Sequence, residues 1–445
     1  MTETVDLPLS DSALSAEDVR AHTRRIVGEM RVTDMHTHLF PPQFEEFNSW
    51  GIDDLLTYHY LVAEAIRSGR FRPDEFQAMP KTAQADLVWQ TLFVRNTPLS
   101  EATRGVITVL SALGLDPMQA DLREAREFFG DAEPATHLGW VLDRARVDLV
   151  VMTNDPFNPR EARLWNENPA IDARFRAALR IDTLLNDWDT ARRVLDDAGQ
   201  TVGSAVDDQA VLSARRFVDT WISRMDPLYV AVSLPDDFAW PADDARTRLI
   251  REVVLPACRD HRLPFAMMIG VRRRVNPALN DAGDALGRAD VSGVHRLCRE
   301  HPDNRFLVTM LSRENQHELC VAARKFSNLM PFGCWWFLNN PSIIAEITRE
   351  RLELLGTTFI PQHSDARVLE QLLYKWAHSR RDVADAMAGQ YTRLIDSGRP
   401  VTTREIARDA RRLFVDNFQQ WTTLGDSAGA VHPTTHAVQG GAQTR

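Results

Sequence analysis

Eight short apolar runs, separated by segments with helical periodicity, constrain this chain more than any other feature. They fall at residues 31–36, 147–153, 178–184, 228–233, 265–271, 306–311, 330–336 and 358–363. Amphipathic stretches such as 209–223 and 341–355 separate most of them. Strands alternating with helices imply βαβ units and a parallel sheet, because a parallel crossover needs a long connection that a helix fills. Eight such units predict an α/β fold of the (β/α)8 TIM barrel type, with its site at the C-terminal ends of the strands.

One interval breaks the rhythm. More than a hundred residues separate the first run from the second. The stretch from about 41 to 142 carries Phe, Leu and Ala at helical spacing, so it predicts a helical insertion after strand 1, lying over the barrel mouth. The expected layout is an N-terminal helical segment over 1–30, a barrel over 31–424 and a flexible tail over 425–445. The chain of 445 residues is long enough for one such barrel with an insertion, or for two domains.

Charge and cysteine usage exclude several classes. A net charge of -10 argues against a nucleic-acid partner. The densest basic spot, Arg272-Arg273-Arg274, reads as a solvated loop or a contact for an anionic substrate. No run of about 18 apolar residues offers a membrane span. The N-terminus has no apolar core of a signal peptide. Cys258, Cys298, Cys320 and Cys334 lie far apart with no CxxC pair, which fits a reducing cytoplasm.

Two pairs carry the candidate chemistry. His36 and His38 stand at i and i+2 where the first run ends, and such side chains share a face in a strand. Alone, that pair is equally consistent with two polar loop histidines. His363 and Asp365 repeat the spacing where the last run ends. The first and eighth strands of a closed barrel are neighbours, so three imidazoles and a carboxylate converge, a donor set suited to a divalent metal. His363 also reads as a residue orienting Asp365 rather than a ligand. Asp155 and Asp182 end other predicted strands. Trp335 and Trp336 form a candidate apolar wall, one of them turned outward because strand neighbours alternate. His22, His137, His295, His301, His317, His378, His432 and His436 follow no ligand spacing and read as surface residues.

These residues resemble the uronate isomerase branch of the amidohydrolase superfamily. The likeness rests on His36-Thr37-His38, on His59-Tyr60 in the insertion, on Thr153-Asn154-Asp155-Pro156, on Gly333-Cys334-Trp335-Trp336-Phe337 with Asn339, and on Asp365-Ala366-Arg367. It implies an amidohydrolase-type barrel in which His36, His38 and Asp365 bind a metal and Arg367 lies beside the substrate. On the same grounds Tyr60 and Asp155 join Arg367 as candidate catalytic residues. His59, Arg273, Trp335 and Trp336 become candidate substrate contacts.

The chain also departs from that pattern. Ala63 stands where the branch carries an arginine, and Glu64 follows it. Met268 replaces a strand-five histidine, although Arg273 keeps the nearby arginine, and His363 adds an imidazole. Fewer sugar-acid contacts and more ligands suggest a dinuclear site with Glu64 as its fifth ligand. This second pattern is similar to a non-haem diiron monooxygenase of platensimycin and platencin biosynthesis on the same scaffold. It implies two iron ions, O2, an external electron donor and a hydrophobic small-molecule substrate, a diterpenoid acid or its coenzyme A thioester. The alternative is a uronate isomerase or a metal-dependent hydrolase with one zinc or manganese ion. A homo-oligomer is compatible with either.

Overall fold

A computed structural model describes residues 8–422, and the tail expected over 425–445 lies outside the described residues. Among these residues eight strands are present: β1 (Val32–Thr37), β2 (Val147–Asn154), β3 (Phe175–Arg180), β4 (Val230–Pro235), β5 (Phe265–Arg272), β6 (Ala285–Leu286), β7 (Phe306–Met310) and β8 (Leu329–Pro331). All but β6 lie side by side in one parallel curled sheet, in the order β1-β2-β3-β4-β5-β7-β8. The two-residue β6 pairs antiparallel with the end of β5.

The eighth expected strand is a connection rather than a ladder. Pro361 has no N–H to give, so pairing after Phe359 is limited to one bridge, Phe332 with Ile360. The segment nevertheless closes the barrel. Ile360 N donates to Pro331 O at 3.0 Å and Gly333 N to Ile360 O at 2.9 Å on one side. Asp365 N donates to His36 O at 3.1 Å and His38 N to Ala366 O at 2.7 Å on the other. The barrel is therefore tied shut at the two motif pairs.

Two other strands differ from their sequence-based bounds. The third ends at Arg180, because Asp182 starts a short helix (Asp182–Asn186) whose Leu184 and Leu185 supply the apolar signal. The seventh stops at Pro331, and Gly333 turns the chain with φ +65. Trp335 and Trp336 thus lie beyond the strand, and both are buried. Strand alternation does not apply to them.

Helices fill the long interval: Ile52–Leu56, His59–Gly69, Pro73–Gln77, Lys81–Trp89, Glu101–Leu113, Arg123–Asp131 and Pro134–Ala145. Capping is explicit where the sequence offers it. Ser100 Oγ accepts from Thr103 N, and Glu133 accepts from Ala135 N and Thr136 N ahead of Pro134. The helix His59–Gly69 packs on the turn at Pro277–Gly283 after β5. Its His59 and Tyr60 rings meet Trp336 and Phe337 after β8, each at 6.3 Å. This helix therefore sits over the C-terminal ends of the strands. After the last connection come Gln371–Asp396 and Thr403–Arg411. Among the described residues no helix is long and apolar enough to cross a membrane. All four cysteines are free and buried.

Candidate metal centre

His36, His38 and Asp365 each offer a ligand atom, and these atoms lie within 4.8 Å of one another. Asp365 Oδ1 is 3.3 Å from His38 Nε2 and 3.9 Å from His36 Nε2. The other nitrogen of each ring is already used. His36 Nδ1 is 3.0 Å from Tyr229 Oη, and Tyr229 Oη donates to Met35 O at 2.7 Å. His38 Nδ1 is 3.0 Å from Thr153 Oγ1, which donates to Thr37 O at 2.9 Å. A hydroxyl has one proton. With that proton committed to a carbonyl, each hydroxyl accepts from Nδ1–H, and each Nε2 is left with a bare lone pair facing Asp365.

Such a group of acceptors needs a cation. Burial lowers the His36 pKa well below its usual value, with the His363 charge adding to it. Burial, and then Arg367, lower His38 to about 4. Both rings are therefore neutral at physiological pH. Burial opposes ionisation of Asp365, but the facing His38 and His36, with Lys375 behind them, hold the carboxyl below its ordinary range. Its Oδ1 is buried with no hydrogen-bond donor. Two neutral imidazoles and an orphaned carboxylate oxygen fit a divalent metal. Asp365 also has φ +50, an uncommon conformation that aims its side chain at the histidines.

The remaining expected ligands stand apart. His363 is fully buried, its ring centroid 5.3 Å from that of His36, but it is not in the cluster and neither of its nitrogens has a hydrogen-bond partner. A Cβ on Gly333 would lie 1.9 Å from His363 Nδ1, so the glycine makes room for the ring. Glu64 is half-buried and accepts from Ser100 Oγ at 2.6 Å. It serves the start of the helix Glu101–Leu113 rather than the metal cluster.

The mouth around the cluster is cationic and aromatic. Arg367 is exposed, and its guanidinium makes no hydrogen bond or ion pair among the described residues. Its charge acts on both His38 and His59. His59 is lowered to about 3, by burial and then by Arg367, and its Nε2 is buried without a partner. Burial raises the Tyr60 pKa well above normal, so its phenol stays protonated. Arg273 pairs with Asp284 at 2.5 Å and sits 5.9 Å from the Trp336 ring. Asp155 is desolvated and its pKa raised, with Arg180 opposing the shift.

Sequence reasoning missed two cations. Arg180, at the end of β3, makes a two-bond ion pair with Asp182 at 2.8 and 3.1 Å. Its charge reaches His36 and His38, and its Nη1 makes no hydrogen bond among the described residues. An arginine just before a strand-terminal aspartate was the available signal. Lys375 is buried and donates to Ser364 O at 2.7 Å, and burial lowers it to about 8. Helical periodicity alone gave no sign of it. Two residues read as surface histidines are in fact buried: His137 pairs with Glu370 at 2.8 Å and His378 with Glu101. His432 and His436 lie outside the described residues.

Barrel closure at the two motif pairs, with His36, His38 and Asp365 at the mouth, defines a barrel of the amidohydrolase type with a candidate metal site. No family profile matches the chain, and no curated protein matches it. Among solved structures, it is 50% identical to a uronate isomerase from Bacillus halodurans C-125 over 94% of this chain and 100% of that one, with a TM-score of 0.91. The chain belongs to the uronate isomerase family. A uronate isomerase from Thermotoga maritima (14% identity, 91% of this chain and 97% of that one, TM-score 0.74) and a glucuronate isomerase from Caulobacter crescentus (16%, 95% and 97%, 0.71) share the fold.

That kinship overturns the oxygenase expectation, together with its diiron, O2 and electron-donor chemistry. The departures behind it have structural explanations. Met268 is buried in β5, paired in register with Ser233 of β4. The arginine missing at Ala63 does not leave the mouth without cations, since Arg180 and Arg367 both act on the ligand histidines.

Proposed function

We propose that this chain is a uronate isomerase, interconverting the aldose and ketose forms of a hexuronate such as glucuronate or galacturonate. The observation that carries the reading is 50% identity to a uronate isomerase across 94% of the chain. One divalent metal, zinc or manganese, is held by His36, His38 and Asp365, the three residues that share one cluster. When bound, such a cation supplies Lewis-acid polarisation of a substrate oxygen.

The chain's own residues supply the rest. Arg367, exposed and unpaired, takes the substrate's anionic oxygens as a planar fork. Arg180 adds a second positive charge, held in place by Asp182. In the isomerisation one proton leaves carbon 2 and one returns to carbon 1, while a hydroxyl proton moves from the oxygen on carbon 2 to that on carbon 1. No atom or electron is gained or lost. Neutral His59 has a bare buried nitrogen suited to carrying such a proton, and protonated Tyr60 is a hydrogen-bond donor. Asp155, near Arg180, is the second carboxylate at the mouth. Trp335, Trp336 and Arg273 wall the mouth on the side of β8.

Purified enzyme incubated with glucuronate or galacturonate under anaerobic conditions tests the reading. It predicts the ketose product in proton NMR spectra, with solvent deuterium entering or a proton retained at carbon 1. Absence of turnover of both sugars in metal-loaded protein would refute it.

A further inference from the structure

An arginine-lined cavity lies at the end of the barrel opposite the metal ligands. It has a volume of about 440 Å³, and Arg24, Arg144, Arg146, Arg380 and Arg381 all line it, with Gly28 at its edge. Arg146 immediately precedes β2, and its carbonyl accepts from Val32 N at the start of β1. The cavity therefore sits at the N-terminal ends of β1 and β2, away from the strand ends that carry the metal ligands.

Its charge is only partly compensated. Arg24 pairs with Asp385 at 2.6 Å, Arg146 with Glu29, and Arg381 with Asp382 at 3.7 Å. Arg144 and Arg380 make no ion pair among the described residues, and no acidic side chain lines the cavity. Arg380 is the telling residue. It is 6% exposed, its Nη2 donates to Ala145 O at 2.9 Å and Arg146 O at 3.1 Å, and its Nε is buried with no acceptor. Those bonds, with the Trp376 ring 5.6 Å from its guanidinium carbon, fix the fork against the cavity wall. No carboxylate is bonded to this buried guanidinium among the described residues, and the more distant Glu29 and Asp34 offset only part of the cost of burying it, so an anion in the cavity is favoured. Burial lowers its pKa to about 9, which leaves it cationic at neutral pH.

We propose that this cavity is a binding site for a compact dianion, a phosphate monoester or a dicarboxylate, whose two negative charges are met by Arg144 and Arg380. Guanidinium forks suit both kinds of oxygen array, and a cavity of this volume lies in the range of small-molecule sites. The site is separate from the metal centre and independent of the reaction assigned to it.

Gly28 gives a clean test. A Cβ there meets nothing within 4 Å, and the residue lies inside the helix Asp18–Glu29. Gly28→Glu therefore adds a carboxylate at the cavity edge without a clash, and glutamate is a better helix former than glycine. Calorimetric titration with inorganic phosphate and, separately, succinate, at ionic strength matched with chloride, reads the site in metal-loaded protein. The wild type is expected to bind at least one of them saturably with one site per chain, at least tenfold tighter than Gly28→Glu, with Arg144→Ala also weakened. Preference for phosphate assigns a phosphorylated ligand, and preference for succinate a dicarboxylate. Turnover at the metal centre without either anion should be unchanged in Gly28→Glu, which shows that the variant is folded. No saturable binding of either anion to the wild type, or equal affinity in Gly28→Glu and wild type, would overturn the proposal.

Discussion

Tyr229 and His36 are joined by a hydrogen bond of 3.0 Å between the phenol oxygen and Nδ1, and the same phenol donates to Met35 O. The phenol thereby selects the imidazole tautomer that presents Nε2 to Asp365. Thr153 does the same for His38. Tyr229→Phe and Thr153→Val remove these acceptors while keeping shape. Each is expected to weaken metal binding by roughly 10–100-fold, measured by competition with a chromogenic chelator. Unchanged affinity in both variants would mean that the tautomers are fixed some other way.

The Arg367 guanidinium has no partner among the described residues, so its removal should cost function and little stability. Arg367→Met is expected to lower kcat/KM for a hexuronate by at least about 100-fold, the loss of roughly 3 kcal/mol from a charge-assisted contact. The melting temperature should stay within a degree or two of wild type. Arg367→Lys should recover part of the rate, since charge returns without the fork. A large fall in melting temperature would recast Arg367 as structural.

Gly333 makes room for the His363 ring. Gly333→Ala would put a methyl 1.9 Å from His363 Nδ1 at a backbone φ of +65. Both effects destabilise, by on the order of 2–4 kcal/mol together. Chemical denaturation should show it as a lower midpoint with little change in slope.

Glu161 gives a pH signature away from the ligands. It is buried and accepts from Asn154 Nδ2 at 2.8 Å. Burial raises its pKa from 4.5 to about 7, partly offset by the Asn154 bond. The folded protein thus holds this proton more tightly than the unfolded chain. Its contribution is most favourable below pH 4.5 and is lost as pH rises through 7. Glu161→Gln stays neutral throughout. Between pH 5 and 8 the wild type should lose on the order of 2–3 kcal/mol relative to that variant. Parallel stability curves for the two proteins over this range would contradict the shift.

Much of this was legible in the sequence where local chemistry repeats with the period of the structure. The i, i+2 spacing of His36 and His38 and the Asp365-Ala366-Arg367 motif marked the two barrel edges that close on each other. Seven of the eight expected strands form ladders, the inner ones on both sides and β1 and β8 on one. The eighth reads as a strand by hydrophobicity, but Pro361 withholds the donor that a ladder requires. Spacing also overstated the ligand set. His363 shares the period of Asp365, yet the left-handed turn at Asp365 separates their directions. Tyr229 reaches the site across 193 residues and Lys375 from the helix after the last connection, contacts that no local pattern encodes, whereas Arg180 carried a local signal in Asp182 two residues on. Ala63 and Met268 suggest lost sugar-acid contacts because residues absent at two positions do not reveal the cations that Arg180 and Arg367 bring from elsewhere in the chain.

Turnover against metal loading tests the central claim most directly. Metal-free protein is titrated with zinc or manganese, and hexuronate isomerisation is measured anaerobically at each step. With His36, His38 and Asp365 as one site, activity should rise linearly and break at one equivalent per chain, and Asp365→Asn should show neither the rise nor the break. A break at two equivalents, or no hexuronate turnover at any loading, would contradict the account.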